Sequence, residues 1–129
     1  MNKYGTYNGL QKKVKSFEDL KGRILSKVEV ESDEIRFYLT DTHYVRMYHE
    51  QDCCEHVYVE DINGDVNDLV GTPLLLVEES ISLGSDDDGW NSMTWTFYRF
   101  RTIKGDVDIR WNGSSNGYYS ETVDIEIVD

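Results

Sequence analysis

The sequence predicts a mostly β protein of the α+β kind, an antiparallel sheet of about six to eight strands with one or two short helices. Two observations carry that expectation. From Val28 onward apolar residues alternate with charged or polar ones at period two. Stretches such as Ser32-Asp33, Ser85–Gly89 and Asn112–Gly117 hold the residues that turns require. At 129 residues, with 39% hydrophobic and 12% aromatic content, the chain can bury a core without staples, and residues 1–129 read as a single domain.

Taken in order, Ser16 to Gly22 reads as a short helix, with Ser16 as its cap, Asp19 three residues on and Gly22 closing it. Val28 and Val30, then Ile35, Phe37 and Leu39, form a hairpin with one buried face around Ser32-Asp33. Tyr44 to Tyr48 and Val57 to Val59 are further strands. Asp65 to Gly71 reads as one or two helical turns, capped by Asp65 and stopped by Gly71. Pro73 to Val77 is a continuous apolar run, as expected of a strand covered on both faces. Met93 to Ile103, Asp106 to Trp111 and Tyr118 to Ile127 complete the strands. Pro73 is the only proline, and no repeat, low-complexity segment or linker divides the chain.

The C-terminal hairpin allows a register to be written. If Lys104-Gly105 is a two-residue turn, Ile103 pairs with Asp106. Thr102 then faces Val107, Phe100 faces Ile109 and Tyr98 faces Trp111, giving one apolar face. On the other face Arg101 meets Asp108 and Arg99 meets Arg110, beside Trp95 and Phe97. Two guanidiniums directly opposite each other repel unless an anion bridges them. Aromatic rings beside them suit a ligand with a flat ring and a phosphate or carboxylate. Neutralisation by nearby acids is the plainer alternative.

The net charge of −12 is uneven. Residues 1 to 27 hold seven Lys or Arg against two acids, and residues 28 to 98 hold two against seventeen. So acidic a middle argues against general nucleic-acid binding. It serves solubility, or imitates nucleic acid toward a protein partner. No apolar run approaches the length of a membrane span and no N-terminal signal pattern is present, so a cytoplasmic protein with no membrane partner is expected.

The stretch His49-Glu50-Gln51-Asp52-Cys53-Cys54-Glu55-His56 gathers both cysteines and two of the three histidines. A disulfide between adjacent cysteines strains the peptide joining them, so free thiols are expected, most readily as small core residues. Adjacent thiols point apart on an extended chain and no second ligand cluster exists, so no metal is assigned. The segment offers a thiol, an imidazole and a carboxylate, but catalytic triads are assembled from separate parts of a fold, and no catalytic residue or cofactor is assigned. Two loops remain as candidate walls of a binding site. His49, Gln51 and Asp52 belong to the first, with a loop tied by its own side chains as the structural alternative. Asn116, Tyr118 and Tyr119 belong to the second, with an ordinary hairpin turn as the alternative.

"HEQDCCEHVYVEDINGD", "LVGTPLLLVEE" and "WTFYRFRTIKGDVDIRWNGSSNGYYS" together resemble a family of small uncharacterised proteins of phages and prophages, from about residue 40 to the C-terminus. The resemblance implies a small protein acting in the host cytoplasm, a setting in which such proteins counter host defence. It carries over no catalytic residue. The expected function is therefore non-enzymatic: capture of a small anionic, nucleotide-like ligand by Arg99, Arg110 and Trp95. The alternatives are an acidic protein that inhibits a host defence protein, and an enzyme using the Cys/His/Asp cluster. A homo-oligomer is compatible with each.

Overall fold

The computed structural model describes residues 17–40, 43–85, 89 and 91–128. Eight strands form two four-stranded antiparallel sheets. They are β1 (Lys27–Val30), β2 (Glu34–Thr40), β3 (His43–Tyr48), β4 (His56–Asn63), β5 (Leu76–Ser85), β6 (Ser92–Thr102), β7 (Gly105–Ser115) and β8 (Asp124–Val128). The first sheet runs β1-β2-β3-β8 and the second β4-β7-β6-β5. The helical elements are two single 3-10 turns, Phe17–Leu20 and Val66–Leu69.

The alternation read from the sequence is what lets the sheets pack. Ile35, Phe37, Val45 and Met47 line the inner face of the first sheet. Tyr98, Phe100, Val107, Ile109 and Trp111 line that of the second. Phe37 and Phe100 meet across the interface with ring centroids 5.2 Å apart. The 3-10 turn at Phe17 caps this core, its ring lying edge-on to Tyr98 at 4.8 Å and Phe100 at 5.4 Å. Asp65 caps the second turn as expected, accepting from the amide of Asn67, and Gly71 follows at φ 89°, a backbone region that glycine enters freely.

Three expectations are corrected. The apolar run Pro73 to Val77 is not a central strand. It ties down the edge of the core through Gly22 N–H to Leu74 O and Leu74 N–H to Arg23 O, burying Leu74 while Leu75 faces out. The strand that follows, β5, lies at the edge of its sheet. Tyr118 to Ile127 is not one strand: residues 116–123 form a loop, and pairing starts at Asp124. The β6–β7 turn is Ile103-Lys104, with Thr102 opposite Gly105. The capping role assigned to Ser16 and the turn at Asp86–Asp88 lie outside the described residues.

That turn shifts the hairpin register by two residues, so each side chain keeps its face and changes its partner. Arg99 lies opposite Asp108 and Arg101 opposite Asp106, while Arg110 faces Phe97. The Lys104-Gly105 register would have set Arg99 against Arg110. The observed one replaces a repulsion with two opposite-charge pairs. Thr102 anchors the turn, its hydroxyl donating to Asp68 O and accepting from Lys104 N–H at 3.2 Å.

Candidate functional site

The outer face of the second sheet holds a concavity of about 970 Å³. Cross-strand pairing sets its floor. One row runs Glu78–Arg99–Asp108–Asn63 and the next Ser80–Phe97–Arg110–Asp61. Glu18 and Lys21 of the first 3-10 turn also line it. Arg99 donates through Nε to Asp108 Oδ1 at 2.9 Å, and Arg110 through Nε to Glu60 Oε1 at 2.6 Å. Glu60 reaches Arg110 because β4 bulges between Val59 and Asp61. Both guanidiniums are thus held at one edge by a carboxylate. The hydrogen bond and charge of Asp108 raise the pKa of Arg99 further. Phe97 is partly exposed between them. Trp95 shares the face one row along, opposite Asn112, and packs over Gly84, where an added Cβ would come within 2.8 Å of the indole.

The expectation of two unpaired, directly opposed arginines at this place is therefore corrected. Arg99 and Arg110 do line one concavity with an aromatic ring, but each has its own acid.

The stretch around the cysteines is organised by Glu55, whose carboxylate is fully buried. It accepts from the backbone N–H of Cys53 and of Asp52, each at 2.9 Å, and from His49 Nε2 at 2.7 Å. Gln51 donates to Glu55 O at 2.7 Å and to Cys53 O at 3.2 Å. The Cys53 amide, then the His49 ring, hold the Glu55 carboxyl down to about 2, against its burial. His49 has Thr122 O 2.8 Å from Nδ1. With a carbonyl at one ring nitrogen and a carboxylate at the other, both nitrogens donate and the ring is an imidazolium. Burial works against that charge, but the bonds to Glu55 and Thr122 outweigh it and raise the His49 pKa.

Cys53 and Cys54 are exposed and joined in a disulfide, which corrects both the free thiols and the core placement. The interior of the loop is occupied by Glu55 instead. Among the described residues no group of three His, Cys, Asp or Glu side chains is placed to hold a metal ion.

The bond from His49 to Thr122 lays the loop at Gln51 and Asp52 beside residues 116–123. Here a second buried carboxylate, Glu121, accepts from the hydroxyls of Ser92, Thr94 and Ser115. Gly113 permits this close approach, since a Cβ there would sit 2.5 Å from Glu121 O. Asn116 accepts from Tyr118 N–H in a tight turn that leaves Tyr118 88% exposed, with Tyr119 half-buried beside it. The candidate residues thus fall into two groups. Arg99, Arg110 and Trp95 sit on the sheet face. His49, Gln51, Asp52, Asn116, Tyr118 and Tyr119 sit at the loop end, and five residues of β7 separate Arg110 from Asn116.

An opposed arginine pair does exist, on the outer face of the first sheet, where Arg36 lies opposite Arg46. Arg36 donates to Glu34, Arg46 lies in ion-pair contact with the same carboxylate at 3.0 Å, and Arg46 donates to Glu126 at 2.8 Å. The Arg46 guanidinium lies 3.6 Å from the centroid of Tyr48, and Tyr38 and Tyr44 pack beside Arg36. The pairing of Thr40 with His43, continued, would set Arg36 against Met47; the bulge after Tyr38 moves the register by one and creates the pair.

The architecture defines a two-sheet antiparallel β protein, with polar side chains on both outer faces. Residues 18–125 match the model of a domain of unknown function, DUF7448, and the chain belongs to that family. No curated protein and no solved structure matches it. No helix among the described residues is long and apolar enough to cross a membrane.

Proposed function

We propose that this is a non-enzymatic binding protein whose concavity on the second sheet captures a small ligand bearing a flat ring and an anionic group, as a nucleotide does. One observation carries the reading: Arg99, Phe97 and Arg110 line a single concavity of about 970 Å³, a size suited to such a ligand. Among the described residues, both guanidiniums bond to their acids through Nε alone. The Nη edge of each fork is left to a phosphate or carboxylate, and the acid fixes the fork's direction. Phe97 offers a face for the ring. Glu18, Asp61, Glu78, Glu79 and Asp108 also line the concavity and disfavour a highly charged anion. The resemblance to phage proteins sets this capture in a host cytoplasm, where removing a nucleotide signal counters defence.

A second reading is favoured by one observation, that Arg99 and Arg110 are each already ion-paired within the chain. An acidic protein of net charge −12 that inhibits a host protein needs no small ligand. Mass spectrometry of small molecules released from the purified protein separates the two. Capture predicts a ring-bearing anion released by the native chain and absent from an Arg99→Ala/Arg110→Ala variant. Release of no such molecule by either protein, even after incubation with a cell extract, favours the second reading.

A further inference from the structure

The inner face of the second sheet runs out at β5. Thr96 and Trp111 are buried on that face, yet the next residue across, Ile81, is 53% exposed, and Leu83 beyond it is 78% exposed. Every residue from Glu78 to Ser85 is exposed. Among the described residues β5 pairs only with β6, so its other edge presents backbone donors and acceptors without a strand beside them. Over its ten residues that edge has no proline, no lysine and no bulge, and its charges are confined to Glu78 and Glu79 at one end. Its sequence is instead patterned by charge. Glu78 and Glu79 precede the neutral stretch Ser80–Ser85, and Asp86-Asp87-Asp88 follow it.

We propose that the β5 edge binds an extended segment of a partner protein, one with alternating apolar residues between basic ones. Such a segment adds as a fifth strand. Its backbone satisfies the open edge, its apolar side chains lie beside Ile81 and Leu83 and continue the inner face, and its Lys or Arg residues meet Glu78 and Glu79. A second copy of this chain fits worse. Its own β5 carries the same two acids and no basic residue to meet them. The edge shares Glu78, Glu79 and Ser80 with the lining of the concavity above, but the inference does not depend on that reading.

The test uses hydrogen exchange on the full chain with a defined probe, acetyl-Lys-Lys-Thr-Val-Thr-Val-Thr-Lys-Lys-amide. Saturating probe should slow exchange of the amides in 79–85 at least tenfold. The same peptide with its central threonine replaced by proline keeps its charge, loses a backbone donor and should protect them far less. Leu83→Ser, at an exposed position that leaves the fold intact, should weaken probe binding about tenfold. Equal protection by the proline peptide overturns the proposal, because it reduces the effect to charge attraction. So does protection already complete without probe, which assigns the edge to residues of this chain, and so does protection that grows with protein concentration, which assigns it to a second copy.

Discussion

Both outer faces set arginines among aromatic rings, and they are built to different ends. On the first sheet Arg36 and Arg46 oppose each other and converge on Glu34, with Tyr48 stacked on one guanidinium and Tyr44 against the other. Ring, cation and carboxylate close on themselves, with Arg46 Nε alone left as a buried donor without a hydrogen-bond acceptor. On the second sheet Arg99 and Arg110 stand two residues of strand apart, take separate acids, and border open space beside Phe97. The same residue types make a compact, convergent network in one place and an open, divided one in the other. What decides is register: a one-residue bulge brings arginine to arginine on the first sheet, while the tight Ile103-Lys104 turn separates them on the second.

The largest expected effect breaks the comparison at the concavity. Arg99→Ala or Arg110→Ala should weaken ligand capture about tenfold or more, because each removes a charge-assisted contact. Arg36→Ala should leave it unchanged. Lysine at 99 or 110 should recover part of the loss, since the charge returns without the planar fork. Titration calorimetry with the ligand identified from the purified protein checks all of these, and an equal loss in Arg36→Ala would erase the distinction between the faces.

A smaller effect separates the loop from both faces, because guanidiniums stay charged across the accessible pH range. The raised pKa of His49 makes its contribution to stability complete below its unfolded value, about 6.5, and lost as pH rises through the folded value. Glu55, held down to about 2, contributes above its unfolded value of about 4.5 and loses that contribution as pH falls toward 2. Together they place greatest stability at roughly pH 4.5–6.5. Thermal melts should show Tm falling on the alkaline side, and His49→Gln should flatten that limb. A native profile indistinguishable from that of His49→Gln would show that the ring is not charged in the fold.

Smaller still is the change at the first-sheet network. Glu34→Ala leaves Arg36 and Arg46 facing each other with only Glu29 and Glu126 across from them, and should cost about 1 kcal/mol, or roughly 3–6 °C in Tm at this chain length. The cost should shrink in high salt, and a loss insensitive to salt would point to packing instead. Least of all, Cys53→Ser/Cys54→Ser should change thermal stability only slightly, because both side chains are exposed and the loop is held by Glu55. A severe loss in differential scanning calorimetry would mean that the disulfide, not the carboxylate, holds the loop.

How much of this was legible follows from which interactions are local. Period-two alternation is written in each strand, so the antiparallel β class and the inner-face residues from Ile35 to Met47 and from Tyr98 to Trp111 could be read directly. Face survived an error in register for Arg99 and Arg110, because a shift of two residues returns a side chain to its own side. Partners did not survive it, because a turn and a bulge each move the pairing, and neither Ile103-Lys104 nor the kink after Tyr38 carries a strong turn signature. The roles of Glu55 and Glu121 were hidden for another reason. A buried carboxylate is recognised by its donors: Ser92 and Thr94 lie far from Glu121 in sequence, and two of the donors to Glu55 are backbone amides, which no side chain announces. The run Pro73 to Val77 misled because an apolar segment reads the same whether it crosses a sheet or plugs its edge.

Capture by the concavity is tested most directly by an NMR titration of the full chain with adenosine monophosphate, which carries one flat purine base and one phosphate. Capture predicts saturable shifts at Phe97, Arg99 and Arg110, lost in Arg99→Ala/Arg110→Ala, with Arg36, Arg46 and Tyr48 unmoved. Shifts confined to the first sheet, or none up to millimolar nucleotide, would contradict it.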